Sequence, residues 1–217
     1  MKKSIFILIP IAFLFSCNSL PEDLKTDHVS DIFPQIYISE KNGLYTGRDK
    51  EPQNGTFLSK FSDGSIHAKL KMVDGMITEG IIRLQNGRIH SDYSSIDGRS
   101  YHTVYGETEL PVMLTVYEGN YNQRTEFYVW YENGNPSMQN TNSMIRTWYE
   151  NGQLQLQMPL KNGKIHGKAL AWHKNGKLKA ENYFTDDVMD GRFKEWDAEG
   201  NLIQERSYDM GQLITEK

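Results

Sequence analysis

Every tryptophan in this chain lies four residues before a glycine. Successive tryptophans are 18, 24 and 24 residues apart, and they are Trp130, Trp148, Trp172 and Trp196. Two earlier segments end at Gly64 and Gly87 with the same phase but without the tryptophan. A motif that recurs at intervals of this length indicates a repeat protein whose unit is one small supersecondary element. The gap of 47 residues between Gly87 and Gly134 is about two periods, which predicts a degenerate copy near residues 105–120.

Most units carry a second glycine eleven residues after the first, as Gly163 follows Gly152. Eleven of the eighteen glycines follow Asn or Asp, the pairs that best tolerate the positive φ angles of tight two-residue hairpin turns. We therefore predict hairpin turns at each of these landmarks. The predicted turn glycines are Gly64, Gly87, Gly134, Gly152, Gly163, Gly167, Gly176, Gly191 and Gly200.

Polar and apolar residues alternate on either side of these turns. Around Asn151-Gly152, one predicted face holds Ile145, Thr147, Tyr149, Leu154, Leu156 and Met158. The other holds Arg146, Trp148, Glu150, Gln153, Gln155 and Gln157. A period of two is typical of a half-buried hairpin and not of a helix. Because one hairpin alone is marginally stable, neighbouring copies must bury each other's apolar faces. The predicted fold is all-β, an elongated, twisted, single-layer meander of antiparallel β-hairpin repeats.

The repeat resembles the MORN repeat in its bacterial variant form and is similar to that of the YwqK-like antitoxins. The matching blocks are 148–154, 161–167 and 172–178. The resemblance covers roughly residues 41–217, is closest over 127–205 and is lost over 101–126. It implies elongated sheets made of successive hairpins, and it implies no catalytic residues.

The N-terminal residues have the pattern of a secretion signal. Lys2 and Lys3 precede an apolar run over residues 5–15, which is too short for an ordinary membrane-spanning helix and suits a signal peptide. The run ends in Leu-Phe-Ser-Cys17, which resembles the lipobox of bacterial lipoproteins. That resemblance implies cleavage before Cys17 and acylation of its thiol and its new N-terminus. The alternative is a signal peptide with an incidental cysteine, but a lone cysteine in a secreted protein needs an explanation.

These patterns divide the chain into five parts. Residues 1–16 are the predicted lipoprotein signal peptide, and 17–34 the lipidated N-terminus and flexible tether. Residues 35–100 are predicted as degenerate hairpin repeats, 101–126 as an irregular or degenerate repeat, and 127–217 as well-formed MORN-like repeats.

Composition and motifs disfavour several functions. The net charge is −4 with no basic run, which argues against nucleic-acid binding, because that depends on neutralising phosphates. The six histidines form no pair with metal-ligand spacing and there is one cysteine, so no metal site or cofactor is predicted. His166 and His173 are interpreted as structural. The acidic residues 186, 187 and 190 are interpreted as a solvated loop, with a cation site as the alternative.

The remaining candidate is the set of four tryptophans. By the alternation above, each points away from the Tyr/Leu face and lies beside Lys, Glu and Gln. They are either cross-strand packing between units or an exposed aromatic groove for a partner. The expectation is a non-enzymatic lipoprotein of the bacterial cell envelope, anchored by lipid to a membrane, whose repeats bind a protein or polysaccharide. The sequence does not fix which membrane it is, and the outer membrane and the cell surface are among the alternatives. Two alternatives remain: an antitoxin or immunity-type protein that neutralises a toxin, and, more remotely, a hydrolase whose carboxylates leave no motif.

Overall fold

A computed structural model describes residues 29–33, 35–38, 44–119 and 123–216 of the chain. Within these ranges there is one short helix, α1 (Val29–Ile32), and the rest of the regular structure is β-strand. The strands are β1 Tyr37–Ile38, β2 Tyr45–Thr46, β3 Gly55–Lys60, β4 Ile66–Val73, β5 Met76–Arg83, β6 Ile89–Ile96, β7 Arg99–Tyr105, β8 Pro111–Glu118, β9 Gln123–Trp130, β10 Pro136–Thr141, β11 Met144–Trp148, β12 Leu154–Lys161, β13 Lys164–Ile165, β14 Gly167–Trp172, β15 Leu178–Thr185, β16 Val188–Trp196, β17 Leu202–Asp209 and β18 Gln212–Glu216.

One antiparallel sheet contains all strands from β3 to β18. Its strands lie side by side in chain order, with β14 beside β12 and the two-residue β13 paired separately to β12. At about 4.8 Å per strand, the fifteen strands of this path extend over roughly 70 Å along the sheet. The predicted all-β meander of antiparallel hairpins is therefore confirmed. Among the described residues, no helix is long and apolar enough to cross a membrane. The predicted signal peptide and Cys17 lie outside the described residues.

Two classes of turn join most of the described strands, and each class lies at one end of them. At Asp74-Gly75, Asp97-Gly98 and Asn162-Gly163 both residues have positive φ, and the residues on either side pair directly. These are the predicted two-residue turns. Asp186-Asp187 and Met210-Gly211 adopt the same conformation without an Asn-Gly or Asp-Gly pair.

The turns that follow the tryptophans are longer, and the prediction of two-residue turns there was wrong. In Tyr149–Gln153 the amide of Gly152 donates to the Tyr149 carbonyl, and the amide of Tyr149 donates to the Gln153 carbonyl. Only Gly152 has positive φ. The Asn151 side chain instead accepts a hydrogen bond from the Gln153 amide, as in an Asx turn. We call these five-residue loops the repeat turns: 61–65, 84–88, 106–110, 131–135, 149–153, 173–177 and 197–201.

Residues 101–126 contain one of these repeat turns within regular strands. Gly106–Leu110 makes the same two backbone hydrogen bonds as the others, and Glu109 takes the glycine position with φ of 62°. Pro111 then begins β8 opposite Tyr105.

Two of the predicted turn glycines lie in strands instead. Gly167 begins β14, and Gly191 lies within β16 where the pairing with β15 shifts register. Both have positive φ, of 103° and 118°, as expected for bulge glycines. A Cβ on Gly191 would come within 3.2 Å of the Tyr183 side chain. The other seven predicted turn glycines have positive φ and lie in turns.

One face of the sheet carries most of the buried side chains, and we call it the packed face. Buried positions alternate along several of its strands, as Ala68, Leu70 and Met72 do in β4. At the N-terminal end, α1 and the residues after it cover this face with Phe33 and Ile36, which are 2% and 1% exposed. Later repeats have smaller clusters on it, around Val104, Met113 and Phe127, and around Met158, Ala169 and Phe184.

Candidate binding face

The four tryptophans occupy the same position in successive hairpins. Each is the last residue of its strand before a repeat turn, and each lies two strands from the next, in β9, β11, β14 and β16. Because cross-strand neighbours share a face and residues alternate along a strand, all four project from the face opposite the packed face. All four are half-buried. We call this set, Trp130, Trp148, Trp172 and Trp196, the tryptophan stripe and its side of the sheet the tryptophan face.

A bulge beside each tryptophan places an apolar residue opposite it. Trp148 pairs with Leu154, whereas Thr147 pairs with Leu156, so Gln155 is the extra residue. The predicted placement of Leu154 on the face of Leu156 was therefore wrong, because strict alternation takes no account of a bulge. The partners of the other three tryptophans are Pro136, Leu178 and Leu202.

The other constant residues of the motif couple one repeat to the next. The Tyr131 hydroxyl donates to the Trp148 carbonyl oxygen, and the Tyr149 hydroxyl to the Trp172 carbonyl oxygen, both at 2.9 Å. His173 replaces the tyrosine in the next copy, and its Nε2 lies 2.9 Å from the Trp196 carbonyl oxygen. A carbonyl only accepts, so Nε2 carries the proton. These contacts support the interpretation of His173 as structural.

The Asn side chains of the repeat turns make a second set of bonds along the array. The amide nitrogens of Asn133, Asn151 and Asn175 donate to backbone carbonyl oxygens of the next turn, at 3.0, 3.2 and 2.8 Å. In the last repeat turn, Asp197 takes the tyrosine position and binds Asn201 within its own loop. The Tyr, Asn and Gly of the motif thus have structural roles in the turns.

The tryptophan side chains make no such contact with the described residues. Within the described chain, no indole nitrogen of the stripe donates a hydrogen bond. None of these nitrogens is among the buried unpartnered side-chain atoms found in the described ranges, which are Arg88 Nε, His102 Nε2 and Asn182 Oδ1. The four indole N–H groups therefore reach solvent. Because tryptophan N–H groups usually find a partner when buried, the stripe offers four free donors on apolar rings.

A row of mostly polar side chains runs beside the stripe on the same face. Successive cross-strand pairs connect its members, which are Tyr128, Gln139, Arg146, Gln157, Leu170, Glu181, Lys194 and Glu205. We call them the polar row. Arg146 donates to Gln139 at 3.0 Å, and Lys194 Nζ lies 3.7 Å from Glu205.

A cluster of charged side chains supports the end of the polar row near Trp130. The Tyr128 ring lies 6.1 Å from that of Trp130, with their planes 17° apart. The Tyr128 hydroxyl donates to Glu126, which also pairs with Arg99. The hydrogen bond from Tyr128, with that from Arg99, lowers the pKa of Glu126. This cluster holds Tyr128 beside the stripe, and the sequence does not indicate it because its members come from β7 and β9.

The tryptophan face changes character in the first repeats. Lys60 and Arg83 occupy the tryptophan position there, opposite Ile66 and Ile89. A shallow depression of about 430 Å³ lies beside them, with three cations and one carboxylate among its side chains. It is lined by Thr56, Ile66, Lys69, Lys71, Glu79, Ile81 and Arg83. Sequence reasoning missed it because its cations are spread over two strands.

The acidic loop is explained by local hydrogen bonds. The Asp187 carboxylate accepts from the Ile165 amide at 2.7 Å, and Asp190 accepts from the Thr185 hydroxyl at 2.9 Å. His166 Nδ1 lies 3.1 Å from Asp186 on the exposed surface. Across the part of the chain that the structure describes, no group of three or more His, Cys, Asp or Glu side chains could hold a metal ion.

Comparison with protein families identifies the repeat. Residues 145–162, 165–186 and 189–210 match the MORN repeat variant. These segments contain Trp148, Trp172 and Trp196 with their repeat turns. A comparison with curated proteins finds no match. The chain therefore carries MORN-variant repeats, of the kind that often mediates binding.

Proposed function

We propose that this chain is a non-enzymatic lipoprotein of the bacterial cell envelope that binds a protein or polysaccharide partner through the tryptophan stripe. The observation that carries the proposal is the set of four solvent-reaching indole N–H groups at one constant position. The Tyr and Asn of the motif bind the next repeat, whereas the indole N–H groups make no hydrogen bond with the described residues. Surfaces that combine exposed aromatic rings with polar neighbours are typical of binding sites.

Anchoring to the membrane rests on the likeness of Leu14-Phe15-Ser16-Cys17 to a lipobox. Several acyl chains give stable attachment where one chain is marginal. A lipid anchor would hold the N-terminal end at the membrane and leave the stripe, which begins at Trp130, at the far end of the array. The second candidate, an antitoxin that blocks a toxin, would use the same face and is favoured by the resemblance to YwqK-like antitoxins.

The test is capture of partners from envelope extracts by the wild-type chain and by a Trp148→Leu, Trp172→Leu double variant. Leucine keeps an apolar side chain opposite Leu154 and Leu178 but removes the ring and its donor. Leu58→Ala is the matched control, since Leu58 is 55% exposed in β3, outside the stripe. We expect capture to fall at least tenfold in the double variant and to stay unchanged in the control. Equal capture by all three chains would refute the proposal, and a captured toxin would favour the antitoxin.

A further inference from the structure

The repeat distance of the tryptophan stripe limits what can lie along it. Neighbouring tryptophans are two strands apart, which places them about 9.6 Å from each other along the sheet. The four positions then cover roughly 29 Å. A ligand that contacts all four must be extended and must present the same chemistry at this interval.

The twist of the sheet restricts the ligand further. Adjacent strands are rotated by roughly 20–25° relative to each other. Because neighbouring tryptophans are two strands apart, the direction in which their side chains project turns by roughly 40–50° from one to the next. A straight, rigid element such as an α-helix would leave the stripe after two positions. A chain whose units rotate about single bonds can follow it.

The charges beside the stripe indicate a neutral ligand. The polar row has two cations, Arg146 and Lys194, and two carboxylates, Glu181 and Glu205. Glu181 is paired with Lys168 at 3.0 Å, and Lys194 with Glu205. This surface therefore has little excess charge to attract a polyanion or a polycation. It is rich in planar amide and carboxylate groups that hydrogen-bond to hydroxyls.

We propose that the tryptophan stripe binds a neutral, β-linked polysaccharide, an inference that rests on the proposed function of the stripe as a binding surface. A pyranose ring has an apolar C–H face that can stack on an indole, and hydroxyls that accept from the free indole N–H. In a β-(1→4)-linked chain, successive sugars are turned over, so every second sugar presents the same face. That two-sugar period is close to the separation of the tryptophans.

The first repeats mark where this site ends. Lys60 and Arg83 stand at the tryptophan position there, and the adjoining depression is basic. Tyr105, opposite Pro111, is the transition between the two regions. The glycan site therefore covers β9 to β17 and excludes β3 to β6.

Tryptophan fluorescence reports directly on this site, because the chain has four tryptophans and all are in the stripe. The full chain is titrated with cellohexaose and chitohexaose, which are β-(1→4)-linked, and with maltohexaose, which has the glucose of cellohexaose in α-(1→4) linkage. We expect a saturable change in emission with at least one β-linked probe. We expect binding of maltohexaose to be at least tenfold weaker.

Two variants separate ring stacking from packing. Trp148→Phe keeps an aromatic face, whereas Trp148→Leu keeps only apolar bulk, and both leave three reporting tryptophans. We expect the leucine variant to lose tenfold or more in affinity and the phenylalanine variant to lose less, with Leu58→Ala unchanged. No emission change with either β-linked probe, equal binding of maltohexaose, or wild-type affinity in Trp148→Leu would overturn the proposal. If no sugar binds but envelope capture still depends on the tryptophans, the binding function stands and the glycan assignment fails.

Discussion

The hydroxyl of Tyr149 donates a hydrogen bond of 2.9 Å to the backbone carbonyl oxygen of Trp172, twenty-three residues later in the chain. The same contact joins Tyr131 to Trp148. It connects the end of one hairpin to the end of the next, and it uses the tryptophan's backbone and not its ring. The tyrosine of the motif therefore stabilises the array, while the indole beside it remains available to a ligand.

Removal of this hydroxyl should weaken the junction between two repeats. We expect Tyr149→Phe to lower the free energy of unfolding by about 1 kcal/mol, the usual net contribution of one hydrogen bond. Tyr101→Phe is the control, since the Tyr101 hydroxyl has no hydrogen-bond partner among the described residues. Urea denaturation of both variants measures the difference. Equal effects would mean that the Tyr149 contact contributes nothing to stability.

The repeat turn requires positive φ at one position only. Gly152 has φ of 83°, whereas Glu150, two residues earlier, is not in the left-handed region. Gly152→Ala should cost about 1–2 kcal/mol, because an L-residue is disfavoured in that region. Glu150→Ala should change stability by less than about 0.5 kcal/mol. If the two alanine variants unfold at the same denaturant concentration, the description of the turn is wrong.

His102 should make stability depend on pH. Its ring is stacked on Tyr93 at 4.3 Å and is 5% exposed, and its Nε2 has no hydrogen-bond partner among the residues that the structure describes. Burial, with a smaller effect of His90, lowers the pKa of His102 to about 4. The unfolded chain, with a histidine pKa near 6.5, then binds the proton more readily than the folded chain. The contribution of His102 to the free energy of unfolding is therefore fully present above pH 6.5. It falls by roughly 3 kcal/mol as the pH is lowered toward 4.

Thermal unfolding of the wild type and of His102→Phe between pH 7 and pH 4 tests this dependence. Phenylalanine keeps the stack on Tyr93 without a titratable group. We expect the variant to lose much less stability than the wild type over this range. Parallel pH profiles for the two proteins would exclude His102 as the cause.

Membrane attachment should depend on a single thiol. Cys17→Ala is expected to yield a precursor that is neither acylated nor cleaved at that position, because acylation requires the thiol. Metabolic labelling with a fatty acid measures acylation. The mass of the protein recovered from the membrane fraction measures cleavage. A labelled, processed chain in the variant would show that the anchor is assigned to the wrong residue.

Much of the fold follows from sequence pattern, and the exceptions have specific physical causes. Period-two alternation and Asn-Gly spacing predict the hairpins, as at Asn162-Gly163. The same dipeptide at Asn151-Gly152 forms a longer turn, because there the Asn side chain replaces a backbone partner. The sequence pattern also does not show the bulge that moves Leu154 opposite Trp148.

The candidate site was predicted in part. The constant position of the tryptophans within the repeat predicts that they share one face of the sheet. That position would be the same whether the rings are packed or exposed, so it does not predict their exposure. Only the positions of neighbouring strands show that Trp148 and Trp172 are half-buried with free indole N–H groups. The basic depression around Lys69 and Arg83 could not be predicted, because it depends on the register between β4 and β5.

We predict that the tryptophan rings form a surface and not a core. The free energy of unfolding of Trp172→Ala, compared with that of Phe184→Ala, tests it most directly. Phe184 lies on the packed face and is 8% exposed, so its loss should cost about 3–5 kcal/mol. Trp172→Ala keeps the backbone carbonyl that Tyr149 binds, and we predict that it costs less than half as much as Phe184→Ala. A cost for Trp172→Ala equal to or above that of Phe184→Ala would show that the stripe is part of the scaffold.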